Sequence, residues 1–206
     1  MNRFDERAAT WDDDPAKVER ANAIALKISA TVPLDRSVRM LEYGAGTGLV
    51  AQALRDFVGP VTMADTSTGM REVMRAKIEA AVITDARVWD LDLATEPAPD
   101  EHFDLIVTVL TLHHIEHTDA VLAGFADLLD ENGTLCVVDL DEEDGSFHGD
   151  DFDGHRGFER SALARDLAAA GFTDVVFTDC HHIVRDNANY PLFLATCRRA
   201  RMTRAL

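Results

Sequence analysis

The stretch Leu41-Glu42-Tyr43-Gly44-Ala45-Gly46-Thr47-Gly48 constrains the fold more than any other part of the chain. An apolar run precedes it and a helical pattern follows, which predicts a glycine-rich turn from a strand into a helix. Glycine tolerates positive φ there and removes the Cβ that would hold a ligand away from the backbone. The helix that follows starts with unpaired N–H groups. Nucleotide cofactors lie across such turns in doubly wound α/β folds, at the carboxyl ends of parallel strands. The dinucleotide pattern G-x-G-x-x-G is not met, because Leu49 stands where it needs glycine. No Gly-Lys-Ser/Thr follows either, so the phosphate-cradling loop is also excluded.

Strand and helix patterns alternate along the rest of the chain, which calls for a mostly parallel sheet with helices on both faces. Asp14-Pro15 reads as a helix start, an acidic cap followed by proline at the first helical position. Strands are expected over 38–43, over 61–65, near 86–90, from 103 and over 134–140, with helices over 47–57, after Ser67, and along Val121, Leu122, Phe125, Leu128 and Leu129. A last helix bears Leu163 and Leu167 and is closed by Gly171. Segments 172–180 and 190–197 read as two final strands, an antiparallel pair at one end of the sheet. No internal repeat or second domain is visible. The expected organisation is one domain over 1–206, with an N-terminal lid and helix over 1–32 and an acidic insertion over 141–157.

The spacing Gly44-x-Gly46-x-Gly48 after Glu42 resembles the first motif of the class I S-adenosylmethionine (AdoMet) methyltransferases. The neighbours extend the resemblance. Val61-Thr62-Met63-Ala64-Asp65 ends in an acid about 20 residues after the first glycine, where Rossmann-type sites place a ribose acceptor. Val88-Trp89-Asp90-Leu91, then the run from Phe103 to Leu110, then Leu112-His113-His114-Ile115 follow in the family's order. The resemblance covers about residues 11 to 198. It implies a Rossmann-like, doubly wound seven-stranded sheet, mostly parallel with a C-terminal antiparallel hairpin, and AdoMet as cofactor with S-adenosylhomocysteine as product. By the same resemblance Gly44, Ala45 and Gly46 hold the methionine part and Glu42 positions its ammonium. Asp65 takes the ribose hydroxyls, Asp90 the adenine amino group (Asp92 being the competing acid), and Leu91 and Met70 pack on the ring. A backbone carbonyl at Val109 or Leu110 accepts from the ammonium. Phe4, Trp11 and Arg20 resemble the N-terminal portion of quinone-biosynthesis-type O-methyltransferases, which implies a lid at Trp11 and a carboxylate-binding arginine at Arg20. The Trp11-to-Arg20 interval is shorter than in those enzymes.

Composition narrows the partners. The net charge is −17, with one basic cluster at Arg198, Arg199, Arg201 and Arg204, so no nucleic-acid partner is expected. No apolar run is long enough for a membrane span, and the polar first 15 residues do not read as a secretory signal. Cys136, Cys180 and Cys197 match neither a zinc spacing nor a disulfide framework, which fits a reducing cytoplasm, and no metal is expected. A small-molecule acceptor is expected, attacking through oxygen, nitrogen or carbon; a non-catalytic AdoMet-binding module is the alternative reading. If the nucleophile starts protonated it needs a base, and His114, one of three histidines just after the fourth strand with His113 and His117, is the candidate. The segment 139–155 is dense in acids and reads foremost as a solvated lid; a site for a cationic acceptor and a calcium-like loop starting at Asp139 are its other readings.

Overall fold

The computed structural model describes residues 4–149 and 151–200. A short 3-10 helix at Ala8–Asp13 leads into α1 (Pro15–Thr31), which begins where Asp14 accepts from the Ala16 N–H at 3.0 Å. Then follow β1 (Met40–Tyr43), α2 (Leu49–Leu54), β2 (Val61–Ala64), α3 (Thr68–Glu79), β3 (Ala86–Trp89) and β4 (Phe103–Val109). A 3-10 turn at Leu112–His114 precedes α4 (Thr118–Leu128), β5 (Leu129–Leu140), α5 (Arg160–Ala169), β6 (Phe172–Arg185) and β7 (Ala188–Arg199). The seven strands form one sheet in the order β3-β2-β1-β4-β5-β7-β6. The first five run parallel, and β7 runs antiparallel between β5 and β6.

Alternation along the strands divides the interior into two layers. Met40, Met63, Leu105, Val107, Cys136 and Val138 pack under α1, α2 and α3 with Ile24, Ile28, Leu54 and Met74. Leu41, Ile106, Leu135, Val137 and Phe193 point to the other face and meet Leu122, Phe125, Leu163 and Leu167 of α4 and α5. Burial of this apolar area, at about 25 cal/mol per Å², is what fixes the sheet between its helices. Cys136 and Cys197 are buried free thiols, as their apolar settings imply.

Several boundaries differ from the sequence reading: β5 begins at Leu129, the last residue of the stripe read as helix, rather than at 134, and two further differences have local reasons. The helix after the glycine turn is shorter than 47–57: Gly48, at φ +79°, stands outside it as the N-cap, and regular helix ends at Leu54. The final strands are longer than 172–180 and 190–197, because Asp186 and Asn187 adopt φ of 51° and 65° and close a two-residue hairpin paired through to Arg185 and Ala188. A turn with both central residues at positive φ matches the twist of its strands, and Asp and Asn tolerate it without a glycine to announce it.

Among the described residues no helix is long and apolar enough to cross a membrane. The glycine turn itself is packed unevenly. Gly44 sits at φ +70°, and a Cβ there would lie 2.2 Å from Cγ2 and 2.3 Å from Oγ1 of Thr111. Gly46 sits at φ +57° with nothing within 4 Å of such a Cβ. Gly46→Ala is therefore expected to lower the urea-unfolding free energy by about 1 kcal/mol, the left-handed strain alone, whereas Gly44→Ala adds a collision with Thr111 and is expected to cost at least about 2 kcal/mol.

Candidate active site

Register gathers the predicted residues on one edge. Tyr43 is level with Ala64 and with Thr108, and Ala64 is level with Trp89. The next residues, Gly44, Asp65 and Asp90, and the last residue of β4, Val109, therefore lie side by side at the carboxyl ends of the four strands. Parallel strands make this possible, since all carboxyl ends lie on the same edge of the sheet.

Asp65 is fixed by the turn it faces. Its Oδ2 accepts from the Gly46 N–H and its Oδ1 from the Ser67 N–H, each at 2.8 Å. Burial raises its pKa, while these two N–H groups pull the other way. A carboxylate has about four lone-pair positions, so two accepted bonds orient the group and leave capacity for a diol. Asp90 lies beyond it, largely exposed, with Oδ1 2.8 Å from Nη1 of Arg71. The same Arg71 nitrogen donates to the Asp65 carbonyl at 2.8 Å. One buried guanidinium thus ties the ends of β2 and β3 together. Asp92, the competing acid, is consumed locally by the Ala94 N–H and the Thr95 hydroxyl.

Glu42 is on the α2 side of β1 and only 3% exposed. Its Oε2 accepts from the Ala51 N–H at 2.8 Å, and burial pushes its pKa up to about 8, against the opposing pull of that N–H and of Lys77. Burial outweighs the pull of Lys77 and holds the acid largely neutral; a ligand ammonium would favour its ionised form.

The N-terminal segment crosses this edge and is pinned to it. Asp5 Oδ1 accepts from the Ser67 hydroxyl at 2.6 Å and from the Gly69 N–H at 3.1 Å. Asp12 receives the Thr47 hydroxyl at 2.5 Å on one oxygen and pairs with the Lys77 ammonium at 2.6 Å on the other. Trp11 is half-buried, with the Lys17 ammonium 3.9 Å from its ring centre and Phe4 edge-on at 6.1 Å. Phe4 reaches on to the His114 ring at 5.3 Å.

A histidine group lies beside the glycine turn, two residues past Thr111. His113 Nδ1–H donates to Oδ1 of Asp139 at 2.6 Å, and both side chains are buried. The Asp139 oxygens also accept from the backbone of Leu140 and, at 3.4 Å, of His113. His114 stacks 4.0 Å from the His113 ring, and His148 approaches both, at 5.0 and 5.2 Å. His148 arrives on the 141–157 segment, which folds back through an Asp141–Phe158 bridge and an N–H bond from His155 to the His113 carbonyl at 2.8 Å.

Comparison with known proteins bears on the family and the fold. The profile described as "Methyltransferase domain" matches residues 13–176. The chain belongs to the methyltransferase domain family. An uncharacterised methyltransferase of Mycobacterium bovis is 32% identical over 111 residues, covering 54% of each chain. A ubiquinone/menaquinone biosynthesis C-methyltransferase of Stutzerimonas stutzeri is 28% identical over 106 residues, 50% of this chain and 41% of its own. The chain thus matches about half the length of these curated relatives. In structure, a Haloferax volcanii methyltransferase solved with the Trm112 methyltransferase activator superposes with a TM-score of 0.79 at 17% identity, covering 98% of this chain and 99% of that one. A Haemonchus contortus phosphoethanolamine N-methyltransferase, solved with S-adenosylhomocysteine, gives 0.72 at 15% identity, over 86% of this chain and 52% of its own. The Rossmann-like sheet is that of the class I methyltransferases.

Within this methyltransferase fold the sequence-derived residues fall into distinct settings. Gly44, Ala45, Gly46, Asp65 and Asp90 share the strand-end edge. Met70 and Leu91 are buried, at 2% and 3% exposure, and Leu91 belongs to the layer under α4 and α5. The Val109 carbonyl accepts from the Thr111 hydroxyl at 3.0 Å, and Leu110 takes φ +52° to turn the chain toward the histidines. Arg20 is half-buried on α1, its pKa lowered by burial, with Asp14 opposing. An acid orients His113, and that acid, Asp139, is buried and bonded to the ring rather than solvated, which does not suit a calcium-like loop. The acidic segment is not simply a solvated lid either: Asp141 pairs with Arg160, Glu143 accepts from the Gly145 and Phe147 N–H groups, and Phe147 and Phe152 pack against His148. Arg71 and Thr111 were missed, and Asp139 and His148 were read only as part of the 139–155 segment, because nothing in their local spacing marks their partners.

Glu42 gives a pH test. Its folded pKa, about 8, lies above the ordinary carboxylate value of 4.5, so folding favours the protonated form. That contribution is complete below the unfolded pKa and is lost as pH rises through the folded one. Relative to wild type, Glu42→Gln is expected to gain stability between pH 5 and pH 9, by at most about 5 kcal/mol, in urea unfolding without ligand. A constant difference between the two proteins across that range would contradict the burial argument.

Proposed function

We propose that this methyltransferase binds AdoMet along the strand-end edge and transfers its methyl group to a small-molecule acceptor. The observation that carries this reading is Asp65, a carboxylate locked by the Gly46 and Ser67 N–H groups beside open space over Gly46. In this reading Asp65 accepts both ribose hydroxyls and Asp90 accepts the adenine amino group. Met70 and Leu91 back the ring. The backbone of Gly44, Ala45 and Gly46 lies against the methionine part, Glu42 faces its ammonium together with the Val109 and Leu110 carbonyls, and Arg20 takes its carboxylate. Trp11 holds the N-terminal segment over the site as a lid.

AdoMet carries its own driving group. The acceptor lone pair attacks the methyl carbon in line, the carbon–sulfur bond breaks, and the sulfonium becomes the neutral thioether of S-adenosylhomocysteine. An acceptor that starts protonated releases that proton to water. The protein's part is alignment and exclusion of bulk water, and positioning of two reactants supplies up to about 7–11 kcal/mol. On the acceptor side His114 stands among Phe4 and Phe152, ring faces that suit a flat, partly apolar molecule. One relative is named for C-methylation in ubiquinone/menaquinone biosynthesis, which supports an acceptor of that flat, partly apolar class here.

Asp65→Ala is expected to raise the AdoMet dissociation constant roughly 10–100-fold by calorimetry, the worth of hydrogen bonds to a charged group, with an unchanged far-ultraviolet circular dichroism spectrum. An unaltered constant would remove Asp65 from the site. Release of S-adenosylhomocysteine across a panel of hydroxylated and amino aromatic acceptors is expected to identify a substrate.

A further inference from the structure

His113, His114 and His148 place one ring nitrogen each within 4.8 Å of one another. His113 is 2% exposed, and with Nδ1–H given to Asp139 its Nε2 is left as the lone-pair nitrogen. That buried Nε2 has no hydrogen-bond partner. A buried polar atom without a partner is destabilising, so the arrangement asks for something to bind there. A metal-ligating histidine commonly gives its other ring N–H to a carboxylate, which fixes the tautomer and raises the basicity of the ligating nitrogen. Asp139 does this for His113.

We propose that these three histidines form a binding site for a divalent transition metal, with Asp139 as the positioning residue. Three imidazoles with neither thiolate nor carboxylate select a borderline ion such as Zn2+ over Mg2+ or Ca2+, which prefer oxygen ligands. Three neutral protein ligands leave the charge of the ion uncompensated and a coordination position open, as in catalytic rather than structural zinc sites. That position suits the oxygen of the acceptor. Bound there, the ion would supply a Lewis acid that makes an acceptor hydroxyl more acidic; the proton would pass to water, and the oxygen would form the new bond to the methyl carbon as the carbon–sulfur bond breaks. His114, read from the sequence as a base, is a ligand on this proposal. The role given to the ion rests on the methyl-transfer reading above; its binding does not.

The test uses the whole chain, freed of metal by chelation and titrated with Zn2+ alone by calorimetry and with Co2+ by visible absorption. One ion per chain and a cobalt spectrum of nitrogen coordination are expected. His148→Ala and His114→Ala, both at half-buried positions, are each expected to weaken Zn2+ at least about 10-fold, and Asp139→Asn about 10–100-fold, with folding verified by circular dichroism. The double variant His181→Ala/His182→Ala, in β6, is expected to bind Zn2+ as wild type does. Failure to bind one ion per chain, or an affinity unchanged in both His148→Ala and His114→Ala, overturns the proposal. AdoMet titrated into the same samples separates the two claims: Zn2+ binding without AdoMet binding upholds the metal site and removes the methyl-transfer reading, and AdoMet binding without Zn2+ binding does the reverse.

Discussion

The parallel register of β1, β2, β3 and β4 is the constraint on which everything else rests. Each of these strands ends at the same height, so the residue that follows each one is delivered to the same edge. A one-residue slip would exchange the faces of every side chain in the slipped strand and break both interior layers at once. The packing of Met40 and Leu41 on opposite faces therefore fixes where Glu42 points and where Gly44 begins its turn. Site geometry here is a consequence of core packing.

Ties from remote parts of the chain then enclose that edge. Asp5 and Asp12 bring the N-terminal segment down onto Ser67, Gly69, Thr47 and Lys77. The 141–157 segment comes from the other side, paired at its base by Asp141 and Phe158 and tied to the His113 carbonyl by His155. Close approach is required there, since a Cβ on Gly154 would lie 2.2 Å from the His113 carbonyl oxygen. The two segments meet over the histidines, where Phe4, Phe152 and the imidazoles pack ring to ring. A setting with less water strengthens the electrostatic interactions inside it.

The parts of the fold that were legible in the sequence are those whose signal is local. Asp14-Pro15, Ser67 and Gly171 announce helix ends by their own chemistry, and the structure uses each of them so. The strand ends at Asp65 and Asp90 were legible because an acid follows an apolar run. The Asp186-Asn187 turn was not, because both residues reach positive φ without glycine. The acids of 139–155 misled for a related reason. Composition reports their charge but not their partners, so Asp139, buried against His113, looked the same as exposed Asp151.

By itself the sequence determined the alternation of strands and helices, the glycine turn and the acids at the ends of β2 and β3. Periodicity and turn chemistry act over a few residues and need no knowledge of the rest. Only the tertiary structure decided that Arg71 joins Asp65 to Asp90, that Thr111 fills the space Gly44 leaves open, and that Asp139 and His148 meet His113. Those contacts join residues far apart along the chain, and their distances are set by how the sheet and its helices pack, which no spacing rule encodes.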